Sequence, residues 1–379
     1  MFPVSFFRRS LTLGGRLLLP AALLLSLASC DNDDDENVSP NDALITTSTA
    51  KPAFAPDIDD QMWAVVDQFI KFGTPPLPTL TPRQARMAPS VTDAVETLLA
   101  NNDQSAEDFN LTITQQVIPG SYTPQSAPDG LLVRIYKPAG ATGTLPAIVY
   151  YHGGGWVIGS LDVYEPSCKA LAQNTGAVVV SLDYRLAPEA KFPAAHEDAF
   201  AAYKWMRKQA ATLGIDSNKI AVAGESAGGN MAVGVCLLAK ERNVAQPRHI
   251  LAVYPVSNND LTTASYQQYA NAVPLNKANV EYFTGLYFNS PADGDNRLIS
   301  LTDVANLQGL PATTIIGAQI DLLQTEGAQL RDKLTAAGVT VNYQLYQGTT
   351  HEFFGTYDVV PKAAEAQTYA ADRLKAAFQ

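Results

Sequence analysis

Ile220-Ala221-Val222-Ala223-Gly224-Glu225-Ser226-Ala227-Gly228-Gly229-Asn230 decides the architecture. Its first half is a short apolar run of the kind a buried strand uses, and its second half opens a helix predicted over Ser226 to Lys240. Between them Gly224-Glu225-Ser226-Ala227-Gly228 fits G-x-S-x-G in the strand–turn–helix setting that pattern needs. A serine on so sharp a turn takes a strained backbone that pushes its hydroxyl out at the sheet edge. Side chains at Gly224 and Gly228 would collide with neighbouring backbone. The following helix aims its positive N-terminus at the same point, favouring negative charge there.

Outward from this turn the chain alternates strands and helices. Upstream, strands are predicted at Leu111–Thr114, Leu131–Tyr136, Pro146–Tyr151 and Ala177–Leu182, with helices near Glu165–Thr175 and from Ala194 to Leu213. Downstream come the strands Ile250–Pro255, Thr313–Gly317 and Val341–Tyr346, and the helices Thr325–Ala337 and Pro361–Phe378. That rhythm implies an α/β fold with a mainly parallel sheet covered by helices on both faces. Residues 257–310 interrupt it, and a structureless loop of that length is improbable. They read as an insertion above the sheet, holding a helix over Lys277–Tyr287. The helical segments within residues 57–100 are its expected partner, with Trp63 and Tyr282 on the apolar underside.

A serine hydroxyl is a weak nucleophile until a base takes its proton, and histidine is the usual base near neutrality. Two histidines follow Ser226. His249 precedes a predicted strand and so belongs at the far end of the sheet. His351 follows one, in the loop after Tyr346, at the same end as Ser226. The base needs an acceptor to fix its tautomer. Asp321 lies just after the strand Thr313–Gly317, whereas Glu326 falls on the next helix. Acyl transfer also needs donors for a developing oxyanion. His152-Gly153-Gly154-Gly155-Trp156 follows a strand and brings backbone N–H groups close, so Gly153, Gly154 and Ala227 are the expected donors. His152 is expected to orient this loop rather than carry protons.

The N-terminus reads as an address. Arg8, Arg9 and Arg16 precede and enter an apolar stretch, Leu17–Leu27, that is too short to span a bilayer. Leu27-Ala28-Ser29-Cys30 resembles a bacterial lipobox, which implies a signal peptide over residues 1–29 and a lipid on Cys30. An acidic run, Asp31–Glu36, and polar residues to Pro56 predict a solvated tether over residues 30–56. The implied location is the cell envelope, facing the periplasm or the cell surface, with the membrane as partner through Cys30. A net charge of −11 without a basic cluster excludes nucleic acid. Three cysteines and four histidines show no metal-ligand spacing. Cys168 and Cys236 are expected as buried free thiols.

Taken together, His152–Trp156, Gly224–Asn230 and the Asp321–His351 pair resemble the bacterial hormone-sensitive-lipase-like esterases of the α/β-hydrolase fold. Asp183-Tyr184-Arg185-Leu186-Ala187-Pro188-Glu189, Phe192–Ala195 and Gly309–Ala312 match as well. The resemblance covers residues 57–379. It implies a serine carboxylesterase without a cofactor, acting on short- to medium-chain esters, with a cap from residues 57–100 and 257–310. Glu225 stands where many members carry Asp or Thr. An amidase or formamidase of the same fold, and a non-catalytic surface-binding lipoprotein, are the alternatives.

Overall fold

Strand β3 (Leu145–Tyr151) shows why the core has two halves. Val149 and Tyr151 pack on one face of the sheet, Ile148 and Tyr150 on the other, because strand side chains alternate. The computed structural model describes residues 44–379, which form one compact unit. The signal segment, Cys30 and the acidic run lie outside the described residues. Among the described residues no helix is long and apolar enough to cross a membrane.

In chain order the helices are α1 (Asp60–Lys71), α2 (Pro82–Arg86), α3 (Val91–Asn101), α4 (Glu165–Thr175), α5 (Ala194–Lys208), α6 (Ala210–Leu213) and α7 (Ala227–Glu241). They continue with α8 (Ala264–Gln268), α9 (Lys277–Tyr287), α10 (Gln324–Ala336) and α11 (Pro361–Phe378). The other strands are β1 (Leu111–Ile118), β2 (Leu131–Pro138), β4 (Val178–Asp183), β5 (Ile215–Glu225), β6 (Ile250–Val253), β7 (Thr313–Ile320) and β8 (Val341–Thr350). The eight strands form one sheet in the order β1-β2-β4-β3-β5-β6-β7-β8. β2 runs antiparallel to β1 and β4, and every other pairing is parallel. Helices α5, α7 and α10 bury one face, and α4 and α11 the other.

Four expectations change. The helix expected from Ala194 to Leu213 breaks at Gln209 and restarts as α6. β8 extends to Thr350, through a register shift opposite Ala318–Ile320, so His351 sits directly on the strand's end rather than deep in a loop. The tether is not free over its last residues. Ile45 and Ala55 are buried, the Thr47 hydroxyl donates to Asp67 at 2.7 Å, and the Trp63 indole donates to the Thr49 carbonyl at 2.8 Å. Composition hid this, because the segment buries little apolar surface and the hydrogen-bonding groups that help pin it are themselves polar.

The insertion carries α8 and α9, with α9 packed on the 3-10 turn Leu77–Thr79. The Tyr282 hydroxyl donates to the Leu80 carbonyl at 3.1 Å. Trp63 does not join it. That residue packs with the cluster containing α3, α4 and α11, because α1 lies against β8 and α3. Phe69, Ile70 and Val91 of the N-terminal segment nevertheless border the same cavity as α9.

Candidate active site

The turn after β5 has the expected strain. Ser226 adopts φ 56° and ψ −118°, in the left-handed half of backbone space that an L-residue avoids. The amide of Ser226 donates to the Val253 carbonyl at 2.9 Å and its carbonyl accepts from Val256 at 3.2 Å, so β6 braces the turn. A Cβ at Gly228 would lie 1.9 Å from the Tyr151 carbonyl oxygen, which is why the motif needs glycine there. Ser226 caps α7, a fifteen-residue helix whose first amides have no intrahelical acceptor.

His351 and Asp321 meet as expected. The imidazole Nδ1 lies 2.7 Å from Asp321 Oδ2, and both side chains are buried. A carboxylate only accepts, so Nδ1 carries the hydrogen and Nε2 keeps a lone pair for another proton. The second Asp321 oxygen accepts from the Leu323 amide at 3.0 Å. Burial by itself pulls the His351 pKa down. The Asp321 carboxylate, with Glu352 and Glu225 behind it, outweighs that and holds it above 6.5. Ser226 and His351 line one cavity of about 890 Å³, together with Gly154, Gly155 and Trp156. Its outer wall is largely apolar, from Ile70, Leu77, Val91, Leu275 and Phe283.

The glycine loop crosses the floor of this cavity. Gly154 takes φ +98°, and a Cβ there would strike the Ile158 carbonyl oxygen at 2.2 Å. His152 is wholly buried, with Nδ1 2.8 Å from the Gly153 carbonyl oxygen and its ring stacked on Tyr184 at 4.1 Å. The Tyr184 hydroxyl donates to the carbonyls of His152 and Gly153. Burial drives the His152 pKa down to about 4, so it orients the loop as a neutral ring. His249 bonds Thr314 Oγ1 at 2.8 Å at the other end of the sheet. Glu326 sits on α10, where its carboxyl accepts from the amides of Ser257 and Asn258. Burial lifts its pKa to about 8, against the pull of those two amides.

Several further side chains take their places around the site. Arg185 grips Asp198 through two nitrogens and Arg86 grips Glu189, so these residues brace the loop beside the site. His196 lies in the first turn of α5. Its ring bonds Asn230 at 2.9 Å and the Tyr287 hydroxyl at 3.0 Å, linking α7 to α9. Trp156 lines the cavity and stacks on Tyr287 at 4.7 Å. Cys168 and Cys236 are buried free thiols. Among the described residues no cluster suits a metal.

Two carboxyls flank the pair: Glu225, which the sequence marked only as a departure from many relatives' Asp or Thr, and Glu352, which the sequence reading did not single out. Glu225, beside the serine, is buried and accepts from the hydroxyls of Tyr150 and Tyr254. Burial lifts its pKa to about 7, and those hydroxyls restrain the rise. Glu352, beside the histidine, lines the cavity. Adjacency to the base was the signal in the sequence that could have found Glu352.

A strained serine at a strand–helix turn and a buried His–Asp pair at the neighbouring strand ends define a hydrolase of the α/β-hydrolase fold. A family model described as alpha/beta hydrolase fold matches residues 148–355, more than half of the chain, and the chain belongs to that family. It is 39% identical over 258 residues to the carboxylesterase NlhH of Mycobacterium tuberculosis, covering 66% of this chain and 80% of that protein. It is 36% identical over 249 residues to an ethyl acetate hydrolase of Pseudomonas putida, covering 65% and 78%. Among solved structures, a thermostable esterase from Pseudomonas putida superposes with a TM-score of 0.77 at 29% identity, over 86% of this chain and 99% of that one. A Pyrobaculum calidifontis esterase gives 0.71 at 34% identity, over 79% and 94%. The chain is an enzyme of the carboxylic ester hydrolase class.

Proposed function

We propose that this enzyme hydrolyses short- to medium-chain carboxylic esters through an acyl-enzyme on Ser226. The observation that carries the reading is the 2.7 Å His351–Asp321 pair, opening on the same cavity as Ser226. Ser226 Oγ forms a bond to the ester carbonyl carbon while His351 Nε2 takes its proton. The carbonyl oxygen becomes an oxyanion and meets the amides of Gly153, Gly154 and Ala227. Collapse breaks the bond to the alcohol, which leaves with the proton from His351. Water then repeats the sequence on the acyl-enzyme, returning a carboxylic acid and the free serine. Asp321 holds the tautomer and stabilises the imidazolium throughout.

The cavity volume and its apolar wall support a medium-chain acyl or alcohol group, and the ethyl acetate hydrolase relative supports the short end. We further propose that the enzyme works in the cell envelope, tethered by a lipid on Cys30. Ser226→Ala should lower turnover of a chromogenic short-chain ester at least ~10³-fold and abolish labelling by a fluorophosphonate. A Ser226→Ala protein that turns over as fast as the parent ends the reading.

A further inference from the structure

His351 is followed by Glu352, whose backbone stands at φ 69° and ψ 9°. Glycine adopts that left-handed conformation without strain, and glutamate does not. Strained positions persist where the surrounding structure holds them, and they gather at functional sites. What holds this one is visible. The Tyr164 hydroxyl donates to Glu352 Oε1 at 2.6 Å. The same hydroxyl lies so close to Gly153 that a Cβ there would stand 2.3 Å from it. The Tyr164 ring also stacks on His152, centroids 5.8 Å apart.

The glycine loop is therefore held on two sides. Tyr184 grips its carbonyls from the sheet side, and Tyr164 presses on Gly153 from the other. Tyr164 alone of the two also reaches the turn that carries His351. Glu352 makes no ion pair among the described residues, so the bond to Tyr164 is its anchor. Arg86 and Lys191, the cations on the cavity wall, are engaged elsewhere, with Glu189 and with the Phe288 carbonyl.

We propose that Glu352 is a positioning residue for ester hydrolysis: gripped by the Tyr164 hydroxyl, it locks the turn bearing His351 to the glycine loop that faces Ser226. Base and oxyanion donors sit on separate strand ends, and a reaction that needs both at once loses rate when they drift apart. The bridge fixes their spacing. This inference rests on the triad reading above and adds a coupling between two of its parts.

The charge has a separate consequence. The groups facing His351 are Asp321 from the end of β7, Glu225 from the end of β5, Tyr254 after β6 with its ring 4.5 Å away, and Glu352 itself. Asp321, Glu352 and Glu225 all favour the protonated imidazole. Removing the Glu352 charge while keeping an acceptor for Tyr164 should leave the bridge and make His351 less basic.

The test uses the full-length enzyme and a chromogenic ester, with Glu352→Gly, Glu352→Gln, Tyr164→Phe and the Glu352→Gly/Tyr164→Phe pair. Glu352→Gly and Tyr164→Phe should each lower kcat about tenfold with KM within about threefold, and the pair should be no worse than either alone. Glycine relieves the left-handed strain, so Glu352→Gly should lose rate while its melting temperature holds or rises. A residue that only supported the fold would lose both together. Glu352→Gln should keep kcat within about threefold and move the acid limb of kcat/KM to lower pH. Rates within twofold of the parent for Glu352→Gly or Tyr164→Phe overturn the inference. So do additive losses in the pair. Ser226→Ala run alongside separates the two claims: activity there defeats the triad, whereas a dead Ser226→Ala beside a fully active Glu352→Gly defeats only the bridge.

Discussion

His249 and His351 occupy opposite ends of one mainly parallel sheet, both almost wholly buried, and their chemistry diverges. His249 stands just before β6 with a threonine hydroxyl on Nε2 and no partner for Nδ1 among the described residues. Burial, with Arg373 adding to it, pushes its pKa down to about 4. His351 stands just after β8 with Asp321 on Nδ1, and its pKa is raised instead. Burial alone makes a histidine a neutral packing element, as it also does for His152 and His196, both lowered to about 4. A carboxylate at 2.7 Å reverses the sign and makes a base. The carboxyl ends of the strands are where the fold offers such a carboxylate, because there the chain leaves β7 and β8 side by side.

The sharpest way to break this contrast is to remove the carboxylate and keep the shape. Asp321→Asn should turn His351 into a second His249, favouring the neutral ring and leaving its tautomer unfixed. Turnover of a short-chain ester should fall ~10⁴-fold while the fold survives. Circular dichroism beside the assay separates the two effects, and a variant within tenfold of the parent would mean Asp321 is not the partner that matters.

Next comes pH. Activity needs neutral His351, whose pKa is raised, so kcat/KM should fall on the acid side with a midpoint above 6.5. A midpoint near 4 would point to one of the three lowered histidines and remove the distinction.

Most of this contrast was legible before any coordinates. Strand order relative to each histidine placed His249 and His351 at opposite ends, since parallel strands put all their carboxyl ends together. Ser226, Asp321 and the glycine loop followed from local pattern for the same reason. What could not be read is what reaches across the chain. Tyr164 and Glu352 are 188 positions apart, and neither carries a local pattern. Glu225 looked inert because the hydroxyls that hold it come from Tyr150 on β3 and from Tyr254 just after β6. The packing of residues 44–56 was hidden because the Thr47 and Thr49 hydroxyls gain partners only once Asp67 is folded beneath them.

The lowered histidines make a quieter prediction about stability. A folded pKa near 4 against 6.5 unfolded means that the unfolded chain binds the proton first on acidification. His249 therefore contributes stability above pH 6.5 that is lost as pH falls towards 4. His249→Gln removes that titration. Its stability relative to the parent should improve by up to about 3 kcal/mol between pH 7 and pH 4. Denaturant unfolding of both proteins at the two pH values measures it. An unchanged difference would mean that folding does not shift His249, and a change of the opposite sign would place it on the same footing as His351.

The smallest effect concerns how the insertion is held. His351 at the rim is fastened by a buried bond to a carboxylate, whereas Tyr282 on α9 holds the N-terminal segment by one half-buried hydroxyl donating to a carbonyl. A neutral bond of that kind contributes about 1 kcal/mol net, and its acceptor can turn to water when it is lost. Tyr282→Phe should therefore lower stability by at most about 1 kcal/mol and leave kcat within about twofold, because the bond touches neither Ser226 nor the glycine loop. KM for longer esters is the sensitive readout, since α9 and Leu77 wall the cavity from either side of that bond. A loss of kcat without change in KM would show that the rim and the insertion are one mechanical unit rather than two.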